Sequence, residues 1–157
     1  MIDIHFNIAL KMTEKYLESV TLIEKIYRLY LDVLKSEIQK MGVLDLNHTQ
    51  AMILFHVGER KISISEIVDK GHFVGSNVSY NVKKLGQAGY LQQEASEFDK
   101  RTVHISLTRK GKEIKNHLRK SVQSHGLTLS KHGLGEKELD ELNELLHKMA
   151  FGLGKLA

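Results

Sequence analysis

Residues 75–111 read GSNVSYNVKKLGQAGYLQQEASEFDKRTVHISLTRKG, and their apolar pattern changes at Gly89. Before Gly89, apolar residues recur at steps of four and three from Val78 to Leu85, which is typical of a helix that buries one stripe. After Gly89, residues 103–107 alternate between apolar and polar types, as a half-buried β-strand does. This stretch therefore predicts a helix that ends near Gly89 and is followed by a β-hairpin.

Two shorter helices are predicted just upstream. The first begins at Asn47, whose side chain can form a cap together with Gln50, and it ends near Gly58. The second begins at an S-x-x-E capping box made of Ser63 and Glu66. Three short helices in succession predict a helix-turn-helix, and the hairpin that follows them predicts a wing.

Longer apolar stripes lie at both ends of the chain. From Val20 to Met41, apolar residues recur at steps of three and four, which predicts a helix from near Met12 to just before Gly42. Residues 139–153 repeat the pattern. The two chain ends are therefore expected to pack together.

The composition is that of a folded soluble protein. The chain has 157 residues, of which 41% are hydrophobic, and this size fits one domain or two small ones. The absence of cysteine excludes a disulfide scaffold and a thiolate zinc site. No apolar run is long enough to cross a membrane and no secretory signal is recognisable, so we expect a cytoplasmic protein without membrane contact.

Positive charge is concentrated in one segment. The formal net charge of the chain is +4, but residues 72–120 hold ten Lys and Arg against four Asp and Glu, a net charge of +6, while the rest of the chain sums to −2. Such a segment is the expected footprint of contact with a polyanion, although a merely solvated face has the same composition.

One side of the helix before Gly89 carries no acidic residue. It presents hydroxyl, amide, phenol and ammonium groups on Ser76, Tyr80, Lys83 and Gln87, and Asn77, Ser79 and Lys84 flank them. These groups can bond to base edges or to phosphate oxygens, and a helix fits the major groove of DNA. An ordinary solvated helix usually mixes both signs of charge, so the absence of acid favours a nucleic-acid interface.

The connection between the two predicted strands is charged. Asp99, Lys100 and Arg101 lie in it, and it is too long for a two-residue turn, so a projecting loop is predicted. An arginine at such a tip can enter the minor groove, where the negative potential favours a cation. The alternative is a plain solvated loop.

The same residues resemble a known family. Asp99-Lys100-Arg101 followed by Leu107-Thr108 and Gly111 resembles the D-x-R and L-T-x-x-G signature of the MarR family of transcriptional regulators. The order of elements agrees with that family over nearly the whole chain. Within the family, the sequence resembles the alphaproteobacterial branch associated with L,D-transpeptidase control.

The resemblance implies a fold class that is mostly α with a small β-hairpin wing, namely a winged helix-turn-helix plus N- and C-terminal dimerisation helices. Residues 1–42 and 112–157 would form the helical dimerisation region, and residues 43–111 the DNA-binding lobe. The implied function is that of a homodimer that binds a pseudo-palindromic double-stranded DNA operator, by default as a ligand-responsive repressor. The exposed apolar stripes at both ends are consistent with burial against a second subunit.

The resemblance also assigns roles to residues. Arg101 falls on the family's minor-groove position, and Asp99 would orient Arg101. Six residues of the acid-free side fall on the family's recognition helix, namely Ser76, Asn77, Ser79, Tyr80, Lys83 and Lys84. Lys100, Arg109 and Lys110 are expected to contact phosphates. Relatives often carry an arginine where this chain has Tyr80 and Asn81, so the preferred operator sequence stays open.

Family members commonly bind a small aromatic or phenolic effector between the dimerisation helices and the DNA-binding lobe. The residues of this chain that fall in the corresponding crevice are Tyr27, Tyr30, Met52, Phe55, His56 and Leu118. They would supply apolar walls with a few polar tips. Each of them can equally be a plain core residue.

Other classes of function find less support. His117, His125 and His132 are eight and seven residues apart, about two helical turns in each case, so no metal and no cofactor are predicted. Catalytic signatures such as H-E-x-x-H, G-x-S-x-G and the P-loop are absent, so no enzyme activity is predicted. A winged-helix module that binds a protein instead of DNA remains the alternative, and retention on duplex DNA distinguishes the two.

Overall fold

The computed structural model describes residues 2–71, 75–95 and 103–156, with the side chains of residues 2–9 and 70 left aside. Six helices and three short strands follow one another within these ranges. In chain order they are α1 (Ile2–Lys40), α2 (His48–His56), β1 (Ile62–Ser63), α3 (Ile64–Gly71), α4 (Gly75–Gln87), β2 (Leu91–Ala95), β3 (Val103–Leu107), α5 (Arg109–Lys131) and α6 (Glu136–Leu153). This confirms the predicted class, mostly α with a small β wing.

Helix α1 is longer than its apolar stripe predicted. It begins at Ile2 instead of near Met12 and runs for 39 residues. Residues 2–11 contain neither glycine nor proline, so nothing in them breaks the helix. The stripe itself is buried only near the end of the helix, where Leu34 and Ile38 enter the core.

The two predicted capping boxes start α2 and α3. Asn47 Oδ1 accepts from the backbone N–H of Gln50 at 2.9 Å, and Gln50 Oε1 accepts from the N–H of Asn47 at 3.0 Å. The Ser63 hydroxyl accepts from the N–H of Glu66 at 3.2 Å, and the N–H of Ser63 donates back to Glu66 Oε2 at 2.8 Å. Helix α2 ends at His56, slightly before the expected Gly58. Both helices pack against α4.

The core of the lobe is small. Its fully buried side chains come from α2, β1, α3, α4, the loop after α4 and β3, and include Ile53, Leu54, Ile62, Ile67, Val78, Leu85, Tyr90 and Ile105. Helix α4 ends before Gly89, which has a positive φ of 76° that favours glycine at this turn. The chain then enters the hairpin.

The predicted hairpin is part of a three-stranded antiparallel sheet in the order β1-β3-β2. Strand β2 pairs with β3 from Leu91 opposite Leu107 to Ala95 opposite Val103. The third strand, β1, was not predicted, because two residues are too short for a pattern of alternation. It pairs with β3 through Ile62 opposite Ile105.

The chain divides into two compact units, Met1–Lys115 and Asn116–Ala157. The first holds α1 to β3 and the first residues of α5, and the second holds the rest of α5 and α6. The predicted assignment of residues 1–42 and 112–157 to one dimerisation region stays a prediction. Among the helices of the described ranges, none combines the length and the apolar content needed to cross a bilayer.

Candidate nucleic-acid interface

Helix α4 separates buried from exposed residues as its sequence predicted. Val78, Val82 and Leu85 face the core and are about 1% exposed. The residues predicted to meet DNA are all exposed, namely Ser76, Asn77, Ser79, Tyr80, Lys83 and Lys84. The helix contains no acidic residue, so this exposed side, which we call the reading face, carries only polar and cationic groups.

Two contacts organise the reading face. The Ser79 hydroxyl donates to the carbonyl of Gly75 at 3.1 Å. The Lys84 ammonium lies 5.8 Å from the centre of the Tyr80 ring, within the range of a cation–π interaction. Asn81 is only 5% exposed, which places it at the buried edge and not on the reading face. Of the two residues that stand where relatives often have arginine, only Tyr80 therefore faces outward.

A polar cluster ties the base of the wing to the loop before α2. The Tyr90 hydroxyl donates to Asp45 Oδ1 at 2.6 Å. The Lys110 ammonium lies 3.4 Å from Asp45 Oδ2, 3.9 Å from the centre of the Tyr90 ring, and donates to the carbonyl of Ala88 at 2.9 Å. We call Asp45, Tyr90 and Lys110 the wing-base cluster. It links the loop before α2, the end of α4 and the start of α5.

The wing-base cluster shifts the pKa values of its own members. The hydrogen bond from Tyr90 lowers the pKa of the Asp45 carboxyl below its ordinary value, because it stabilises the ionised form. Burial raises the pKa of the Tyr90 phenol, and the bond to Asp45 raises it further. The cluster therefore holds an ionised Asp45 and a neutral Tyr90 at neutral pH.

Thr108 and Gly111 of the L-T-x-x-G motif form further contacts at the base of the wing. The Thr108 hydroxyl donates to the carbonyl of Gly89 at 2.7 Å, and it accepts from the N–H of Gly111 at 3.1 Å. Gly111 packs so closely that a Cβ added to it would lie 2.2 Å from the carbonyl oxygen of Tyr90. The motif thus joins the start of α5 to the beginning of the wing.

The residues predicted to contact phosphates differ in their exposure and in their contacts within the chain. Arg109 is 95% exposed and forms an i,i+4 ion pair with Glu113 at 3.3 Å. Lys110 is engaged in the wing-base cluster, although half of its side chain is exposed. The contacts of Arg109 and Lys110 with DNA remain predictions. Asp99, Lys100 and Arg101 lie outside the described residues.

Sequence reasoning missed Asp45 and the part that Tyr90 plays. Tyr90 directly follows Gly89, where the helix was predicted to end, so its place at the start of the hairpin could be read from the sequence. Its partner Asp45 lies 45 residues away in the chain, and no periodicity links the two. The same holds for Lys115, which donates to the carbonyl of Val57 after α2 at 2.9 Å.

Comparison with known proteins agrees with this geometry. Residues 46–111 match the family model of a winged helix DNA-binding domain. The exopolysaccharide II synthesis transcriptional activator ExpG of Rhizobium meliloti (strain 1021) is 34% identical over 142 residues, which are 90% of this chain and 73% of ExpG.

Solved structures are similar as well. MarR of Staphylococcus aureus in complex with salicylate and kanamycin superimposes with a TM-score of 0.73 at 21% identity, over 93% of this chain and 95% of that one. FabT of Streptococcus pneumoniae in complex with DNA gives 0.70 at 20% identity, over 90% of this chain and 99% of FabT. The chain belongs to the MarR family.

Membership of the MarR family makes the protein a DNA-binding transcriptional regulator and not an enzyme. The matched domain also favours the DNA-binding interpretation over a protein-binding winged helix. The narrower resemblance to the branch associated with L,D-transpeptidase control stays a prediction.

The residues predicted for an effector crevice in this MarR-family chain are spread over three helices. Tyr27 on α1 is exposed and Tyr30 is half-buried, and burial raises the pKa of the Tyr30 phenol. On α2, Met52, Phe55 and His56 are half-buried, and the rings of the last two meet edge to face at 6.2 Å. Leu118 is buried and belongs to the second unit. Their role as an effector site stays a prediction.

A cavity of about 230 Å³ lies in the first unit. It is lined by the end of α1, the following loop and the start of α2, through Lys35, Ile38, Gln39, Val43, Leu44, Leu46, Asn47 and His48. None of the six predicted effector residues belongs to this lining.

The histidines considered for a metal lie on α5 and just beyond it. His125 Nε2 lies 3.2 Å from the Ser121 hydroxyl. Within the ranges that the structure describes, no three side chains of His, Asp or Glu come together closely enough to hold a metal ion.

Proposed function

We propose that this MarR-family regulator binds a pseudo-palindromic operator in double-stranded DNA as a homodimer and acts as a ligand-responsive repressor. The observation that carries the proposal is the reading face of α4, whose six exposed polar or cationic residues have no acidic neighbour on the helix. DNA phosphates repel carboxylates, so a helix that enters the major groove has a reason to exclude them.

The dimer is proposed from the apolar side of α1. Leu22, Ile23, Ile26, Tyr27 and Leu29 each expose 40% or more of their surface in the single chain. A stripe of this length on one helix marks an association surface. A two-fold axis would pair it with the same stripe of a second copy and place two recognition helices about 34 Å apart, one turn of DNA.

Footprinting of the region upstream of the protein's own gene tests operator binding. We expect protection of two half-sites on one face of the duplex, since a dimer reads successive major grooves. Absence of any protected span at low salt, across upstream fragments, contradicts the proposal.

The salt dependence of affinity tests the reading face. Lys83→Ala should weaken binding moderately and reduce the slope of log K against log salt by about 1, because one phosphate contact is lost. Lys137→Ala is the matched control, since Lys137 is also an exposed lysine and lies on α6. Arg101→Ala should weaken binding strongly, and unchanged affinity in that variant contradicts the wing assignment.

The oligomeric state tests the dimer directly. Ile26→Glu places a charge in the exposed apolar stripe and should yield monomers whose operator affinity falls about 100-fold or more, because the two half-sites are no longer bound together. Thr21→Glu adds the same charge on the polar side of α1 and should remain dimeric. Size-exclusion chromatography with light scattering separates the outcomes, and a dimeric Ile26→Glu variant contradicts the proposal.

The effector is proposed to be a small aromatic or phenolic molecule. The S. aureus MarR structure contains salicylate, and this chain places tyrosine, histidine and apolar side chains on α1 and α2. Salicylate and simple phenols should raise the melting temperature and lower operator affinity. If neither quantity moves across a broad panel, the effector proposal fails.

Activation is the second candidate for the direction of control. Repression is expected from the family, whereas ExpG, which is 34% identical, is a transcriptional activator by name. Deletion of the gene decides between them, because transcripts next to the operator rise if the protein represses and fall if it activates.

A further inference from the structure

The first turns of α4 hold an amide pair that limits what the reading face can recognise. Asn77 is exposed on the reading face, and Asn81, one turn later, is only 5% exposed. The side-chain amide of Asn81 lies 2.9 Å from the backbone carbonyl oxygen of Asn77 and 2.5 Å from its side chain.

The chemistry of these contacts determines the orientation of both amides. A backbone carbonyl can only accept a hydrogen bond, so the Asn81 atom beside it must be the donor Nδ2. Because Nδ2 can only donate, the Asn77 atom that also contacts it must be the acceptor Oδ1. The Asn77 amide is therefore turned with its oxygen toward the buried Asn81.

The opposite end of the Asn77 amide is then left for an outside partner. Its Nδ2 group donates to no acceptor within the described part of the chain, and the residue stands in the first turn of α4. The N-terminal residues of a recognition helix are the ones that contact base edges. Asn77 thus turns its two N–H donors toward the place where bases are read, while its oxygen is directed at Asn81 and accepts from it.

We propose that Asn77 is a specificity-determining residue that selects guanine in the operator, and that Asn81 is the positioning residue that restricts it to donation. This inference rests on the proposed function, since it requires α4 to enter the major groove. Guanine offers two adjacent acceptors there, O6 and N7, one for each N–H of Asn77, whereas thymine and adenine each offer a single acceptor and cytosine offers a donor. Adenine is the usual partner of asparagine, but that pairing needs the amide oxygen as well, and Asn81 holds it.

Selection from a randomised duplex library tests the proposal. The wild-type dimer should enrich a motif in which one symmetric pair of positions is guanine. Asn77→Ala should still enrich the motif but lose the guanine preference at that pair by about tenfold, the value of a good base contact. A uniform loss of affinity across all bases would make Asn77 a phosphate contact and would overturn the proposal.

Asn77→Asp is the sharper variant because it keeps the size of the side chain. One carboxylate oxygen can still accept from Asn81, and the other replaces the exposed N–H₂ with an acceptor. The preferred base should change from guanine to cytosine, whose N4 amino group donates. Gln87→Glu adds the same charge at the other end of α4, and it should lower affinity without altering the preferred base. Retention of guanine by Asn77→Asp overturns the proposal.

Asn81→Ala tests the positioning role. It releases the oxygen of Asn77, so the preference should widen from guanine to include adenine, which a free asparagine amide pairs in two bonds. The melting temperature of each variant is measured alongside, and the Asn77 variants decide the matter if Asn81→Ala does not fold. An unchanged strict guanine preference in a folded Asn81→Ala variant overturns the role of Asn81.

Failure of the proposed function and failure of the Asn77 assignment give different experimental results. If the wild-type protein enriches no sequence at all, the proposed function itself is wrong. If it enriches a motif whose base preferences are the same in wild type and Asn77→Ala, operator binding stands and the assignment of Asn77 is wrong.

Discussion

The winged-helix lobe and the apolar side of α1 use the same residue types in opposite ways. Ile53 in the lobe is 0% exposed, whereas Ile26 on α1 is 61% exposed. Both lie on helices with apolar residues at steps of three and four, so the periodicity alone does not distinguish them. The lobe therefore completes its own core, whereas much of the α1 stripe is left uncovered in the single chain.

The two regions also differ in how far apart in the sequence their polar contacts lie. In the lobe they join distant parts of the chain, as Tyr90 does with Asp45 and as Lys61 does with Glu94 in an ion pair. The ion pairs of Lys15 with Glu18 on α1 and of Lys148 with Glu144 on α6 are local. Distant bonds hold one tertiary arrangement, and local pairs only support a helix.

Truncation of an isoleucine in each region tests this contrast and is expected to have the largest effect. Ile53→Ala should lower the free energy of unfolding by about 2–5 kcal/mol, because it leaves a cavity in a closed core. Ile26→Ala should lower it by an amount that depends on protein concentration, because the proposed dimer covers this residue with a second subunit. Urea denaturation at several concentrations measures both, and equal, concentration-independent losses contradict the contrast.

Two glycines of α5 offer a second test. Gly111→Ala should destabilise the protein by about 1–3 kcal/mol, because the new methyl group meets the carbonyl of Tyr90 at 2.2 Å. Gly126→Ala should stabilise it by about 0.5–1 kcal/mol, because no atom of the described residues lies within 4 Å of the added Cβ and alanine favours the helix. Thermal unfolding compares the two, and stabilisation by Gly111→Ala contradicts the close packing of the wing base.

Removal of one hydroxyl tests the wing-base cluster. Tyr90→Phe loses the bond to Asp45 and should reduce stability by about 1 kcal/mol at neutral pH. The folded-state pKa of Asp45 is lowered, so its contribution is present above the unfolded-state pKa and is lost as the pH falls through the folded value. The difference between wild type and Tyr90→Phe should therefore shrink in acid, and a difference that grows there contradicts this account.

The smallest effect is expected for an exposed local pair. Lys148→Ala removes a 2.7 Å ion pair with Glu144, in which about two thirds of each side chain is exposed. Its effect on the free energy of unfolding should stay below about 0.5 kcal/mol, because solvent screens the pair. A loss as large as that of Tyr90→Phe would show that the contrast between distant and local contacts is wrong.

Much of the lobe could be predicted from sequence because its signals are local. The capping boxes at Asn47 and Ser63, the stripe of α4 and the alternation in β3 each depend on residues within a few positions of one another. Such patterns act through backbone geometry alone. The acid-free reading face was visible for the same reason, since a helix projects each residue in a known direction.

Other features depended on contacts that no local pattern carries. Strand β1 has two residues and exists only through its pairing with β3. The start of α1 at Ile2 lay outside its apolar stripe. The burial of Asn81, which turns the amide of Asn77, follows from the packing of α4 against α2 and α3.

Local patterns in the sequence predict most of the helices, the two strands of the hairpin and the polar side of α4, because periodicity, capping and charge are properties of neighbouring residues. Tertiary packing brings Asp45 to Tyr90, and it buries the stripe of α1 at Leu34 and Ile38 but leaves it exposed at Ile26. Those outcomes depend on which distant surfaces meet, and burial is a property of the assembled chain and not of any one segment.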